Sequence, residues 1–380
     1  MGNMISFLAA LQVPDLNWVG KIVAALYSFV GNYGWTVLLF TVILKVITLP
    51  LDYWQRSSAK KNAIKMQQMK PMMDKIDKAY GANIKGAQQE KQKLMKKFGY
   101  NVFSSCLPTL VTLAVFIIMF SGLTSYSSHS NVKEYNQLVD AYHYNLVVSA
   151  DSNGIALSND LKAVIDDGNY ELGDWTEDTE KLFQSELKPV LANLSATDLE
   201  KIIEDCKQPL AKFAEENRES FLWIKNIWRA DTWQSVMPDY NEFANGGMGT
   251  QGIEGADETE YNVIYSAVTT YAGGYAGAAW NGLLILPVLA VVLSFFSMKL
   301  TQKTQQLPND PQSQATSKMM TLMMPLMMSI FILMYTAALG VYIVGNSILS
   351  IVTTFMLTPI INKKYKDSDI HIIKQASYRR

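Results

Sequence analysis

The chain has 380 residues, a formal net charge of −1 and 18% charged residues. Those totals alone would suit a soluble protein of two or three domains. The distribution of the charges excludes that class, because residues 98–132, 261–298 and 319–362 contain no Asp, Glu, Lys or Arg. Uncharged segments of this length are typical of helices that cross a membrane.

The N-terminal segment, residues 1–33, contains one predicted helix. Leu16–Val30 follows Pro14 and Asp15 and has apolar side chains at helical spacing. We therefore expect an amphipathic helix that lies on the membrane surface. The alternative for this segment is a sixth helix that crosses the membrane.

Apolar stretches of about 20 residues, long enough to cross a ~30 Å hydrocarbon core, occur five times. The predicted spans are Gly34–Asp52, Phe103–Leu123, Asn281–Lys299, Met319–Leu339 and Gly340–Ile360. The last two come from one uncharged block that, as a single helix, would be about 66 Å long. We expect this block to fold back near Thr336–Gly340, where small residues interrupt the large apolar ones. The predicted fold class is an all-α integral membrane protein with five transmembrane helices.

The orientation of the spans follows from the charges between them. Residues 53–101 contain twelve Lys or Arg and three Asp or Glu, and residues 362–380 contain six and two. Basic connections are enriched on the cytoplasmic side, so both segments are predicted to lie inside the cell. Residues 124–280 contain ten basic and 26 acidic residues and are predicted to lie outside. Five spans with the N-terminus outside and the C-terminus inside satisfy all three assignments.

The segments between the spans have different predicted structures. Residues 53–102 are expected to form a helical hairpin, with arms at Ser57–Tyr80 and Ala87–Phe98 joined by a turn at Gly81–Gly86. Residues 300–318 are a predicted cytoplasmic loop, and residues 361–380 a basic cytoplasmic tail.

The acidic insertion, residues 124–280, is predicted to be mostly helical and extracellular. Ser195-Ala-Thr-Asp198 resembles the start of a capped helix. Asp151–Asp174 is rich in Gly, Asn and Asp, so we expect a loop there. The predicted helices are near Val132–Tyr144, Thr176–Leu191 and Ser195–Phe213.

Lys45 is a single lysine within an otherwise apolar membrane-length segment. A charge at that depth costs several kcal/mol unless it faces protein or water, so it marks a functional site by default. In one interpretation it lines a wet cavity with hydroxyl and amide side chains from several spans. In the other, Lys45 extends towards Asp52 at the cytoplasmic surface while the hydroxyls bond to their own helices. The polar side chains concerned are Thr41, Thr48, Thr109, Thr112, Ser294, Ser297, Thr321, Ser329, Asn346, Ser347 and Ser350.

Intramembrane catalysis is not expected. The three histidines, His129, His143 and His371, lie outside the predicted spans, and no Cys/His spacing suggests a zinc site. We therefore expect Lys45 to act through its charge and not by proton transfer.

A methionine cluster occupies the fourth predicted span. Met319, Met320, Met323, Met324, Met327 and Met328 recur as pairs every four residues and so share one sector of a helix. Their flexible, polarizable side chains can accommodate many apolar partners. The alternative is lipid contact or ordinary helix packing. Pro325 is expected to kink this helix.

The order of these features resembles the YidC/Oxa/Alb family of membrane protein insertases. The resemblance covers residues 16–124 and 219–362, and the order of the motifs is more specific than any one of them. The residues that carry it are Val42-Ile-Leu-Lys-Val-Ile-Thr-Leu-Pro50, Lys96-Lys-Phe-Gly-Tyr-Asn-Val102, Cys106-Leu-Pro108, Phe221-Leu-Trp223, the methionines before Pro325, Thr336-Ala-Ala-Leu-Gly-Val-Tyr342 and Gly345-Asn346.

The resemblance implies a hydrophilic groove in the inner leaflet that is open to cytoplasm and lipid and closed to the outside. Lys45 stands where the family usually has arginine, so we expect attraction of acidic substrate segments without bidentate pairing. Ile343 stands where relatives often carry tryptophan. The expected groove residues are Lys45, Thr41, Thr48, Thr109, Ser297, Asn346 and Ser347. The expected apolar surface for substrates is formed by Met319, Met320, Met323, Met324, Met327, Met328 and Ile343.

The five-span layout looks like that of Gram-positive members, although the insertion is larger than theirs. The implied function is a multi-pass insertase of the bacterial plasma membrane that passes hydrophilic tails through the groove and releases apolar segments into lipid. The implied partners are nascent membrane proteins, the lipid bilayer, the ribosome and the Sec translocon. Recognition of a specific nucleic-acid sequence is not implied. A monomer without cofactor, metal or nucleotide is expected.

Two other classes remain possible from the sequence. A transporter or channel could use the polar strip as the path of an anionic solute, although no repeat relates the two halves of the chain. A structural scaffold could bind a partner through the acidic insertion.

Overall fold

The computed structural model describes residues 11–81, 83–100, 103–165, 170–171, 175–246, 252–253, 255–270, 280–305, 323 and 326–365, with the side chains of 103–109, 112 and 302–305 excepted. Within these residues the chain is helical and its only strand-like pairs are two isolated bridges. The predicted all-α class is confirmed for this part of the chain. The helices are α1 (Trp18–Val30), α2 (Tyr33–Tyr80), α3 (Ile84–Lys97), α4 (Phe103–Ser152), α5 (Asn159–Val164), α6 (Glu177–Leu182), α7 (Lys188–Ala192), α8 (Ala196–Asn217), α9 (Tyr240–Asn245), α10 (Glu258–Thr270), α11 (Ile285–Gln305), α12 (residues 326–334) and α13 (Ala337–Lys364).

The chain divides into two compact units. The first contains the described residues within Met1–Val37, Ser121–Pro287 and Phe331–Gly340. The second contains those within Leu38–Phe120, Val288–Ile330 and Val341–Arg380. All described residues among those predicted to form the groove and the apolar surface belong to the second unit.

Helix α1 begins and ends where local chemistry dictates. The Asn17 side chain accepts a hydrogen bond from the Gly20 amide at 2.7 Å, which satisfies one of the free amides of the first turn. Gly31 then ends the helix with φ of 75°, a conformation that glycine adopts without steric cost. Val23 is buried, whereas Phe29 is 87% exposed. The helix predicted within Leu16–Val30 is therefore present, but its exposed side includes apolar side chains, and its place on the membrane surface stays a prediction.

Helix α2 continues through the point at which the first span was expected to end. It contains 48 residues and includes both Pro50 and Pro71. A proline inside a helix removes one backbone hydrogen bond and costs about 3 kcal/mol, so a boundary there was the simpler expectation. The first span and the first arm of the predicted hairpin are instead one continuous helix about 72 Å long.

Helix α4 also crosses an expected boundary. Its 50 residues continue unbroken from Phe103 past Leu123 to Ser152, a length of about 75 Å. The helix predicted near Val132–Tyr144 is thus a continuation of the second predicted span.

The core of the first unit is built from α4, α8 and α10. Tyr142, Leu210 and Tyr261 are among its fully buried side chains. Ser195 caps α8 by accepting a hydrogen bond from the Asp198 amide at 3.2 Å, which confirms the predicted capped start. The insertion therefore has a hydrophobic core of its own.

The predicted loop at Asp151–Asp174 was wrong at one point, because α5 forms there. Ser158 caps this short helix through the Leu161 amide at 3.2 Å, and Leu161 is 1% exposed. One buried leucine behind a capping serine is enough to hold a single turn and a half. The predicted helix at Thr176–Leu191 is present as α6 and α7, joined by a π-helical segment at Phe183–Leu187.

Asp231 and Asn281 hold the chain as it leaves the insertion and enters α11. Asp231 is fully buried and accepts hydrogen bonds from the Leu283 amide at 2.8 Å and the Leu286 amide at 2.6 Å. The Asn281 side chain donates to two backbone carbonyls of the preceding loop, that of Asn226 at 2.8 Å among them. The bond from Leu286 satisfies one amide of the first turn of α11, which would otherwise be buried and free.

In the second unit, α2 and α13 lie side by side and run in the same direction. Gly345 lies against Leu38 and Thr41, and further along the two helices Ser57 and Tyr365 share a hydrogen bond at 2.9 Å. Residue numbers rise together along both helices, so their packing is parallel. Parallel packing of a first and a last span is what an odd number of crossings requires.

Two of the described helices, α2 and α13, are long and apolar enough to cross a membrane, with mean hydropathies of 1.9 and 1.7 over their most apolar windows. Helix α1 and residues Ile285–Thr301 are shorter apolar helices. Between α12 and α13 the helix is interrupted at Tyr335 and Thr336, at the start of the segment where the sequence predicts a reversal. The predicted spans Phe103–Leu123 and Met319–Leu339 fall partly outside the described residues, so five spans stay a prediction.

Candidate functional site

The Lys45 ammonium is held by groups from two helices. Its Nζ lies 2.7 Å from Asp52 Oδ2, two turns further along α2, and donates a hydrogen bond to Ser350 Oγ of α13 at 3.1 Å. The side chains of Lys45 and Asp52 are 12% and 11% exposed. Seven residues rise about 10.5 Å along a helix and return to nearly the same face, so the lysine stem must run along α2 to reach the carboxylate.

The observed geometry of Lys45 includes one contact expected from each of the two sequence interpretations. The contact with Asp52 is the one expected if the lysine extends along its own helix. The contact with Ser350 belongs to the other interpretation, in which polar groups of different spans converge on the ammonium. Lys45 is therefore a paired cation placed between α2 and α13.

Arg56 extends this charged group by one turn. It follows Asp52 by four residues on α2 and is partly buried. Burial lowers the pKa of Arg56, and the negative charge of Asp52 opposes that effect. The group contains two positive charges and one negative charge. Arg56 was not a predicted site residue, although acid followed by base at i and i+4 is a favourable helical pair that the sequence displays.

The predicted hydroxyl groups divide between the two interpretations. Ser294 of α11 and Ser347 of α13 share a hydrogen bond of 3.0 Å, so these two side chains do converge. Thr48 instead donates to the Lys45 carbonyl of its own helix at 3.3 Å. Thr354, which was not among the predicted groups, likewise donates to the Ser350 carbonyl of its own helix at 2.7 Å. Thr41 is 2% exposed and lies on the face of α2 that packs against Gly345.

For the other predicted groove residues, the structure gives the helix and, for two of them, the burial of the side chain. Ser297 of α11 and Asn346 of α13 are partly buried. Thr109 belongs to α4, and its side chain lies outside the described part of the chain.

The predicted apolar surface is described at four of its seven positions. Met323 and Met327 are 52% and 54% exposed, and Met328 is partly buried. Ile343 differs from them because it is only 6% exposed and therefore packs inside the second unit. Met319, Met320 and Met324 lie outside the described residues.

A second buried charged cluster lies in the first unit, around His143. The imidazole is fully buried, with Nδ1 2.8 Å from Glu180 Oε2 and Nε2 3.1 Å from Glu260 Oε1. Trp175 Nε1 donates to the same Glu180 oxygen at 2.7 Å, and Phe183 stacks on the ring at 4.4 Å. This cluster ties α4 to α6 and α10.

Electrostatics make the His143 cluster charged at neutral pH. Burial lowers the pKa of His143, but its hydrogen bonds to Glu180 and Glu260 and their negative charges raise it more, to about 9. Burial raises the pKa of Glu180, but the His143 hydrogen bond and charge outweigh it and lower that pKa to about 2. The imidazolium thus bridges a carboxylate on each side.

Comparison with known proteins identifies the family. A family model described as 60Kd inner membrane protein matches residues 25–163 and 199–366, which is more than half of the chain. The chain belongs to this family. It is the YidC/Oxa/Alb family, so the resemblance carried by the motifs is confirmed. Residues 164–198, within the acidic insertion, lie between the two matched parts.

Individual relatives match shorter parts of this family member. Membrane protein insertase YidC of Caldanaerobacter subterraneus is 29% identical over 113 residues, 30% of this chain and 53% of that protein. Membrane protein insertase YidC of Helicobacter pylori is 34% identical over 101 residues, 26% of this chain and 17% of that protein. Inner membrane ALBINO3-like protein 1 of Chlamydomonas reinhardtii is 37% identical over 94 residues, 25% of this chain and 18% of that protein. The matched part of the chain is therefore between about a sixth and a half of the length of these relatives.

Proposed function

We propose that this chain is a membrane protein insertase, as its family membership suggests, and that Lys45 is the cation that attracts acidic substrate segments. The observation that carries the proposal is the Lys45 ammonium, which is 12% exposed and is held between α2 and α13 by Asp52 and Ser350. A charge kept at membrane depth and contacted by polar groups of another helix is typical of a functional site.

The proposed mechanism needs no covalent chemistry. A hydrophilic tail of a new membrane protein enters a wet groove from the cytoplasm, and its carboxylates are drawn towards Lys45. Water in the inner leaflet shortens the hydrocarbon barrier that the tail must cross. The apolar segment of the same substrate leaves sideways into lipid along the second and fourth predicted spans, where Met323 and Met327 are half exposed. Because methionine is flexible, it can fit apolar segments of different shape.

The proposed topology is five spans in a bacterial plasma membrane, with the acidic insertion outside and the basic segments inside. It is supported by the lysine and arginine counts of residues 53–101 and 362–380. The parallel packing of α2 and α13 agrees with it, because the first and fifth spans would cross in the same direction.

The proposed partners are nascent membrane proteins and the lipid bilayer. The basic tail, which contains six Lys or Arg among residues 362–380, would attract ribosomal RNA by charge without reading its sequence, and the Sec translocon is a further proposed partner. A monomer without cofactor or nucleotide is sufficient for the mechanism.

The test is insertion of a single-span substrate with an acidic tail by the purified full chain in liposomes. Lys45→Gln should lower the insertion rate by roughly tenfold, equivalent to ~1.4 kcal/mol, and Lys45→Arg should keep it near wild type. Lys60→Gln is the matched control, since it removes a lysine from the same helix outside the predicted span. Equal rates for wild type and Lys45→Gln would contradict the proposed role of the charge. Anion flux through the same liposomes without insertion would favour a transporter instead.

A further inference from the structure

We propose that Asp52 determines which substrates the groove accepts, because it occupies the Lys45 ammonium until a substrate carboxylate replaces it. The proposal rests on the proposed function and adds a built-in competitor to it. It predicts that the groove selects for acidic tails through an exchange of carboxylates.

The first step concerns the state of the cation before substrate arrives. The Lys45 ammonium is already paired with Asp52 at 2.7 Å, and one more of its three donors is used by Ser350 at 3.1 Å. A substrate therefore meets a neutralised pair and not a free positive charge. Its gain in Coulomb energy depends on displacing the resident carboxylate.

The second step concerns the carboxylate that is displaced. Asp52 is 11% exposed, and a carboxylate left unpaired in such surroundings is strongly unfavourable. Arg56 lies one turn further along the same helix, four residues after Asp52, at the spacing at which an acid and a base can pair on one helix face. Asp52 can therefore move from Lys45 towards Arg56 without becoming an isolated buried charge, which makes the exchange feasible.

The third step gives the selectivity. A tail with Asp or Glu can replace the resident carboxylate at Lys45, so the number of ion pairs is conserved. A tail with Asn or Gln at the same positions cannot, because the ammonium would exchange a full charge for an amide dipole. Neutral tails should then leave the Lys45–Asp52 pair intact and gain nothing from it.

A different role for Asp52 makes the opposite prediction. If Asp52 only held the lysine side chain in position, removal of its charge would reduce the capture of acidic tails. If it competes with them, removal should increase their capture. One substitution therefore separates the two roles.

The experiment compares wild type, Asp52→Asn, Lys45→Gln and the double variant in liposomes. Two single-span substrates are used whose tails differ only in two Asp residues replaced by Asn. With the acidic tail, Asp52→Asn should raise the insertion rate roughly fivefold, equivalent to ~1 kcal/mol, because the substrate no longer has to displace a resident carboxylate. With the Asn tail, wild type and Asp52→Asn should be equal. The double variant should match Lys45→Gln, because the competitor matters only when the lysine is present.

A second comparison tests the part played by Arg56. Arg56→Gln should lower the rate for the acidic tail by roughly threefold, because the displaced carboxylate loses its second partner. In the Asp52→Asn background the same change should have no effect. Lys60→Gln, one turn further along α2, is the control for removal of a positive charge.

The outcomes separate this proposal from the proposed function. Equal insertion of acidic tails by wild type and Lys45→Gln would overturn the charge mechanism itself. Impaired insertion by Lys45→Gln together with an unchanged or lower rate for Asp52→Asn would overturn only the role of Asp52. If Asp52→Asn inserted neither substrate, the role of Asp52 would also be overturned, since Asp52 would then be required for structure. Asp52→Ser should behave as Asp52→Asn does, which excludes an effect specific to the amide.

Discussion

The buried His143 cluster should make the stability of the insertion depend on pH. The pKa of His143 is raised from 6.5 to about 9 in the folded chain. A raised pKa means that folding favours the protonated imidazole, so its contribution is complete below pH 6.5 and is lost as the pH rises towards 9. A shift of this size corresponds to about 3 kcal/mol. Glu180, whose pKa is lowered from 4.5 to about 2, also stabilises the fold, but with the opposite dependence on pH. Its contribution is complete above pH 4.5 and is lost as the pH falls towards 2.

Cys206 offers a direct assay. It is 1% exposed in α8, so a thiol reagent reaches it only when the insertion opens. In a Cys106→Ser background, the alkylation rate of the full chain is divided by that of an unfolded peptide at each pH, which removes the titration of the thiol itself. The titration of His143 alone should raise the normalised rate roughly 100-fold between pH 6.5 and 9, as expected from ~3 kcal/mol.

The comparison with His143→Gln decides whether the histidine is responsible. Glu134 would contribute in the same direction, because burial raises its pKa from 4.5 to about 8. The normalised alkylation rate of wild type therefore rises more steeply with pH than His143 alone would cause. The contribution of His143 is the difference between the pH profiles of wild type and His143→Gln. Parallel pH profiles for the two proteins would refute the reasoning. If His143→Gln is already open at pH 6.5, Glu180→Gln provides the milder change. Its loss of stability above pH 6.5 should be smaller than that of wild type and should end at a lower pH, because the folded-state pKa of His143 is then raised less.

Two further substitutions test local features of the first unit. Gly282→Ala should lower the unfolding temperature of the full chain in detergent, because a Cβ there would lie 1.9 Å from Asp231 Oδ1 and overpacking of this kind costs about 1–3 kcal/mol. Leu283→Ala, at a 55% exposed neighbour, should leave that temperature nearly unchanged. Ser195→Ala removes the cap of α8, worth about 1 kcal/mol, and should speed alkylation of the buried cysteine roughly fivefold, whereas Thr197→Ala in the same exposed turn should not.

Much of the helical architecture could be predicted from the sequence, because charge-free blocks and capping residues act locally. Ser195 predicts the start of α8, and the small residues at Thr336–Gly340 predict the interruption near Thr336. The ends of α2 and α4 could not be found in this way. Pro50 is a strong local signal for a helix end, but within a long apolar helix neighbouring packing can retain the helical path. No local signal separates the apolar part of α4 from its continuation into the insertion.

In the candidate site too, contacts within one helix could be predicted from the sequence, whereas contacts between different helices could not. Asp52 could be weighed as a partner of Lys45, because seven residues return to the same face of one helix. Ser350 was one of many hydroxyls, and nothing in its surroundings in the sequence distinguishes it as the group that bonds to Lys45. The partners of His143 lie on other helices of the insertion, so the pattern around the histidine gives no indication that it bridges two carboxylates. Ile343 stood in a predicted apolar surface, yet its burial depends on the packing of α13.

The shielding of the Lys45–Asp52 pair separates two electrostatic contributions that would otherwise be hard to distinguish. Dissolved ions weaken attraction between exposed charges over a Debye length of about 8 Å at physiological ionic strength, but act far less on charges that are largely removed from water. The side chains of this pair are 11–12% exposed, whereas Lys363 and Lys364 at the end of α13 are exposed. Added potassium chloride should therefore weaken the proposed recruitment of ribosomes by the basic end of the chain while preserving the proposed discrimination between acidic and neutral tails.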